Sequence, residues 1–152
     1  MRYRHVALYA GSDLRAAEEY YARLFDLQVA VREAPVSPDG RDAAVWAQLP
    51  RDKDWDHAEA AGVAIGMVAL EGGDVTLALF AGEPTGERFY ALGLVMTAEE
   101  IESVAERLGE ETIEDHREGW LAFVDRYGVR WQLSTSGPFR GSGDSQGRWL
   151  AV

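Results

Sequence analysis

Apolar and polar residues alternate with a period of two over residues 3–10. Val6 and Leu8 fall on one side, and Tyr3, His5 and Ala7 on the other, as a half-buried strand requires. Ser12 and Asp13 are helix N-cap residues, and Leu14, Ala17, Tyr21 and Leu24 then recur at helical spacing. The pattern predicts a helix over residues 13–24 and a second strand over 27–34, broken by Pro35, Pro38, Asp39 and Gly40. Residues 38–61 follow neither period and read as an insertion, with a helical turn or two expected over 43–49 and another over 54–60. Residues 63–70 form an apolar strand, Gly72-Gly73 gives a hairpin signal, and residues 74–80 form the next strand.

The same order then returns. Residues 89–96 predict a strand. Thr97 and Glu100 make a capping-box pattern ahead of Ile101, Val104, Ala105 and Leu108, and Gly109 ends that helix. Strands follow over 111–116, 120–124 and 129–134, with a turn at 125–128. A repeated order of strand, helix, strand, strand, strand suggests duplicated modules. Module one is expected over residues 1–82 and module two over 89–136, together one domain. Residues 137–152 are a Gly/Ser-rich flexible tail whose apolar end either docks or frays.

Composition narrows the function classes. The 152 residues suffice for one domain with a real core, and 47% apolar content is ordinary. The absence of cysteine removes disulfides, thiolate metal sites and thiol nucleophiles together. A net charge of -11 argues against nucleic acid as a partner and favours a cationic ligand over an anionic one. No apolar run reaches the roughly 18 residues of a membrane span, and the opening stretch lacks the pattern of a signal peptide. The expectation is a cytoplasmic protein with no membrane partner. A phosphate-binding Gly-rich loop followed by lysine and a Gly-x-Ser-x-Gly elbow are both absent.

Three segments carry a family resemblance. They are Arg4-His5-Val6-Ala7-Leu8 leading to Tyr20-Tyr21 and Leu24-Phe25; Val75-Thr76-Leu77-Ala78-Leu79-Phe80; and Asp125-Arg126-Tyr127-Gly128 leading to Trp131-Gln132-Leu133. In this order they resemble the vicinal-oxygen-chelate superfamily of glyoxalases, bleomycin-resistance proteins and extradiol dioxygenases. The resemblance implies an α+β fold of two βαβββ modules, with curved mixed sheets forming a cup and helices on the outer faces. Tyr3, His5, Thr76, Phe80, Arg130 and Gln132 would then face the cup, with Trp55 and Trp46 closing over it from the insertion.

The family's metal enzymes take ligands from the first and last strands of each module. His5 matches the first such place and Gln132 the last. Ala78, and Ala91 or Gly93, stand at the other two and offer no donor. Zinc and non-haem iron sites need more than one histidine and one amide. Asp56, His57 and Glu59 of the insertion are the residues that would have to supply the rest; His116 reads as an exposed histidine among charges. Two readings follow. One is a metal-free binding protein that holds an aromatic or cationic small molecule through His5, Arg130 and Gln132. The other is a lyase, isomerase or dioxygenase with an unusual ligand set around His5 and Gln132. A relative with an interaction role and no ligand is a third. Family members often pair, and a homodimer is expected.

Overall fold

A computed structural model describes residues 4–35, 46–49, 54–73, 75–82, 91–136 and 149–151. The backbone divides into two compact units, Met1–Glu83 and Pro84–Val152.

In the first unit, β1 (Arg4–Tyr9) leads into α1 (Leu14–Phe25). Asp13 caps the helix by accepting from the Ala16 amide at 3.0 Å, which satisfies one of the donors that every helix start leaves open. Leu14, Ala17, Tyr20, Tyr21, Leu24 and Phe25 are buried, and the rings of Tyr21 and Phe25 stack with centroids 6.2 Å apart. Then come β2 (Gln28–Pro35), β3 (Trp46–Leu49), α2 (Trp55–Ala60), β4 (Met67–Gly72) and β5 (Val75–Phe80). The sheet order is β1-β5-β4-β2-β3, with β1 parallel to β5 and every other neighbour antiparallel. The hairpin between β4 and β5 turns at Gly73, whose φ of +57° suits glycine. Helix α1 packs on β4 and β5. Val6, Leu8, Val68, Leu70, Leu77 and Leu79 are all nearly inaccessible on that side.

The second unit comprises β6 (Ala91–Val95), α3 (Ala98–Arg107), β7 (Thr112–Arg117), β8 (Trp120–Val124), β9 (Arg130–Ser134) and β10 (Trp149–Ala151). The capping box forms as the pattern predicts: Glu100 N donates to Thr97 Oγ1 at 3.2 Å, and Thr97 N to Glu100 Oε2 at 2.9 Å. Four strands repeat the first unit's arrangement as β6-β9-β8-β7, and β10 extends the sheet to five beside β6. Strand β6 is parallel to both β9 and β10. Leu92, Leu94, Leu121, Phe123, Trp131 and Leu133 are buried with Ile101 and Val104 of α3, the helix that packs on β8 and β9.

Two expectations need correction. Residues 46–49 form a strand, not helical turns, because they pair antiparallel with β2 from Arg32↔Leu49 to Pro35↔Trp46. Residues 149–151 are a strand, although the tail reads as flexible, because the open edge of β6 supplies the backbone partners the sequence does not show. The helical expectation within 54–60 matches α2, capped by Asp54, which accepts from His57 N at 3.1 Å.

Candidate functional site

Strand alternation gives each sheet a helix-covered face and an opposite face, and of the expected site residues Thr76, Phe80, Arg130 and Gln132 fall on the second. In the first unit, His5 pairs with Thr76, Ala7 with Ala78, and Tyr9 with Phe80. Thr76 and Phe80 are half-buried, and Phe80 lies 5.8 Å from the ring of Tyr9, itself 54% exposed. Ala78 is buried at the place where a donor would be needed. Tyr3 lies outside the described residues. So do Phe89 and the side chains of His5 and Trp46, so no contacts are given for them.

In the second unit, Gly93, Gln132 and Ala122 form one row across β6, β9 and β8. Two of these three positions carry little or no side chain. Between them the Gln132 Oε1 atom is buried and has no hydrogen-bond partner among the described residues. A buried amide oxygen left unmatched costs roughly 1–3 kcal/mol, so such an atom calls for an explanation. Arg130 shares this face but is engaged: its Nε donates to Glu114 Oε1 at 2.8 Å. Trp120, one row away and registered with Ser134, is a half-buried aromatic on the same face, with the Arg117 guanidinium 5.6 Å above its ring. The sequence reading did not single out Trp120, although alternation through residues 120–124 puts it in phase with Ala122 and hence with Gln132.

Trp55 is placed elsewhere. Its Nε1 donates to Glu18 Oε2 at 2.8 Å, and the same carboxylate accepts from Arg32 Nε at 2.9 Å and Nη2 at 2.7 Å. Arg32 registers with the fully buried Val68, so this cluster belongs to the α1 side of the sheet. The Arg32 guanidinium also sits 5.8 Å from the Trp55 ring. Its pKa is pushed up, mainly by the hydrogen bond to Glu18. Arg15 adds a 3.0 Å ion pair to Asp56. Trp55 therefore fastens the insertion to α1 and does not cover the opposite face. His57 turns back onto Asp54 at 2.7 Å, and that hydrogen bond holds the Asp54 carboxyl below its ordinary range. Asp56, His57 and Glu59 are exposed, with Asp56 paired to Arg15 on the α1 side.

The buried carboxylate Asp125 anchors the site strand from behind. Its Oδ1 accepts from Tyr127 N at 2.8 Å and Val129 N at 3.0 Å, and its Oδ2 from Trp131 Nε1 at 2.8 Å. This fixes the start of β9 and, with it, the pleat that sends Gln132 to the face opposite Trp131. His116 bonds Glu102 at 3.1 Å in a groove of about 680 Å³ beside α3, lined by Glu99, Glu106 and Glu118. That groove shares no residue with the Gln132 row.

Among the described residues the places expected to hold a divalent ion lack most of their donors. Ala78, Ala91 and Gly93 carry no donor, and among the described residues no group of three His, Asp or Glu side chains converges.

The sequence matches no family model and no curated protein. Solved structures do match. The fosfomycin resistance protein FosX from Mesorhizobium loti is 16% identical, with a TM-score of 0.52 over 89% of this chain and 90% of that one. A mutant of FosX from Listeria monocytogenes, complexed with Mn(II) and 1S,2S-dihydroxypropylphosphonic acid, is 13% identical, with a TM-score of 0.55 over 88% and 90%. A possible glyoxalase from Bacillus cereus is 13% identical, with a TM-score of 0.51 over 88% and 98%. The chain thus has the α+β fold of the vicinal-oxygen-chelate superfamily, the fold its three segments resemble. Among the described residues no helix is long and apolar enough to cross a membrane.

Proposed function

We propose that this protein binds a small organic molecule on the face of its second module that carries Gln132, without a resident metal. One observation carries the reading: the Gln132 oxygen is buried without a partner, between the small residues Gly93 and Ala122. A ligand with an N–H or O–H donor would supply the missing bond. A net charge of -11 favours a cationic or neutral molecule over an anion. Trp120 offers a ring to such a ligand, and Arg130 a second polar contact once released from Glu114. In the first module His5, Thr76 and Phe80 would serve as further contacts. The homodimer expected from the sequence belongs to this reading, with the fully exposed edge strand β7 as a surface for a second copy. Sedimentation velocity checks it.

A metal-dependent enzyme is the second reading. The Gln132 oxygen is a hard donor, and a FosX of the same fold was solved with Mn(II). One experiment separates the two. The protein is incubated with Mn(II), Fe(II), Ni(II) and Zn(II), desalted, and assayed for metal content, then screened by thermal shift against aromatic and cationic compounds. Binding reading: no stoichiometric metal is retained, and stabilising compounds lose their effect in Gln132→Leu. Near-stoichiometric metal that disappears in both His5→Ala and Gln132→Leu would establish the enzyme reading instead.

A further inference from the structure

The face of the first sheet opposite α1 carries a row of side chains that crosses all five strands. Tyr9 of β1 pairs with Phe80 of β5, Phe80 with Met67 of β4, Met67 with Glu33 of β2, and Glu33 with Gln48 of β3. Paired residues of neighbouring strands share a face. Contacts at both ends agree: the Tyr9 and Phe80 rings lie 5.8 Å apart, and Gln48 Nε2 donates to Glu33 Oε1 at 3.4 Å. Tyr9 and Gln48 are exposed, and Phe80, Met67 and Glu33 are half-buried, so every member of the row reaches solvent. Two features set the row apart from ordinary surface. Tyr9 is one of two exposed large hydrophobic residues among the described ones, yet its ring is seated. It lies on Gly82, whose φ is +152° and where a Cβ would stand 2.7 Å from Tyr9 Cδ1. Glu33 is the second feature, a half-buried carboxylate without a cation. Glu18, Asp56, Glu114 and Asp115 each pair with an arginine. Among the described residues the Glu33 side chain has only the long bond from Gln48.

We propose that this row is a second binding surface, for organic cations that carry an apolar arm. The cationic group would stand against Glu33, and the arm would lie along Met67 onto Phe80, with Tyr9 as the end wall. Neighbouring strands are about 5 Å apart, so Glu33 and Phe80 are about 10 Å apart along the row, the reach of a short arm ending in a ring. The two rings and the thioether offer polarisable surface to the arm, and Glu33 selects the sign of the charge. The net charge of -11 acts in the same direction. The row lies on an open face, so its ligand stays partly hydrated and binds with Kd of about 1 mM. At micromolar ligand so weak a site stays largely empty and adds no measurable stability, which separates it from the Gln132 reading, on which it does not rest.

Phenylbutylammonium is the probe, with phenylbutanol as its neutral counterpart and phenylbutyrate as its anionic one. Each is titrated into the nitrogen-15-labelled full chain, Glu33→Gln, Tyr9→Ala and Gly82→Ala, and Kd is read from amide shifts. The expected result is that the cation shifts Tyr9, Met67, Phe80 and Glu33 together, that the alcohol binds about fivefold more weakly, and that the anion does not bind. Glu33→Gln should bring the cation down to the level of the alcohol. Tyr9→Ala should weaken both by about threefold, the scale of one lost aromatic contact. Gly82→Ala keeps the ring but unseats it, and should weaken both likewise; it reads the same contact if Tyr9→Ala disturbs the whole spectrum. Equal affinity for cation and alcohol in the full chain overturns the proposal. So does binding indifferent to Glu33→Gln, or to both Tyr9→Ala and Gly82→Ala, and so does a cation that shifts none of the four amides. A cation that instead shifts Gln132, Gly93 and Ala122 overturns it while supporting the binding reading above.

Discussion

The two modules share one strand order but protect opposite edges of it. Among the described residues, in the first the insertion adds β3 beside β2, and β1 is left as an edge; in the second the tail adds β10 beside β6, and β7 is left as an edge. Each also buries one anchoring carboxylate, and the partners differ in kind. Glu18 of the first module holds Arg32 and Trp55, 14 and 37 residues away in sequence. Asp125 of the second takes neutral donors from residues 2, 4 and 6 positions on. The first arrangement is a long-range clasp that secures an insertion. The second is a local turn lock that sets the phase of a strand. Only the second lies directly behind the candidate site residue, so a fault there should damage both fold and binding, while a fault in the clasp should spare the site.

The largest expected effect is at the turn lock. Asp125→Ala strands the Trp131 indole N–H and two main-chain N–H groups in the core, and should cost about 3 kcal/mol or more in urea unfolding. A loss below about 1 kcal/mol would show that water reaches these donors and that the lock is not what fixes β9. Glu18→Ala comes next. It leaves the Arg32 guanidinium, 14% exposed, without its bidentate partner, for an expected loss of about 2 kcal/mol, below that of a fully buried pair. Replacing Glu18 and Arg32 together by leucine should recover most of that loss. If the double variant is as unstable as Glu18→Ala, the damage comes from Trp55 losing its acceptor and not from an unpaired charge.

Smaller still is Gln132→Leu. An apolar side chain of similar size removes an unmatched acceptor, so stability should hold or rise by up to about 1 kcal/mol while ligand stabilisation vanishes. Opposite signs for stability and binding would distinguish a site residue from a packing residue. The smallest effect concerns acid. The Asp54 carboxyl is held below its ordinary value of 3.8 by its bonds to His57, so it favours the folded clasp above that value, and the contribution fades as pH falls through the depressed one. Amide exchange in α2 should accelerate below about pH 3.8, and Asp54→Ala should abolish that acid-specific step.

What could be read from the sequence followed the range of the interactions. The capping box of Thr97 and Glu100, the Asp13 cap and the 125–128 turn all depend on neighbours within six residues, and all three appear as expected. The helix-facing residues were equally visible, because a period of two places Leu77 and Leu79, or Trp131 and Leu133, on a single side. The fold itself came from three short segments in order, and the solved structures share it. Residues 46–49 could not be read as a strand, since only pairing with β2 makes them one. Trp55 looked like a lid because nothing local reveals that Glu18 is its acceptor. Gln132's place on the face opposite Trp131 was legible from the alternation. Its unmatched oxygen was not, because that depends on Gly93 and Ala122 from two other strands.

The most direct test of the account is the side-chain amide of Gln132, observed by nitrogen-15 NMR during titration with aromatic and cationic compounds. The account predicts that stabilising compounds shift this amide pair in step with Gly93 and Ala122, and that the first module's Glu18 clasp stays unperturbed. Compounds that stabilise the protein while the Gln132 amide stays unmoved would contradict it and place the ligand elsewhere.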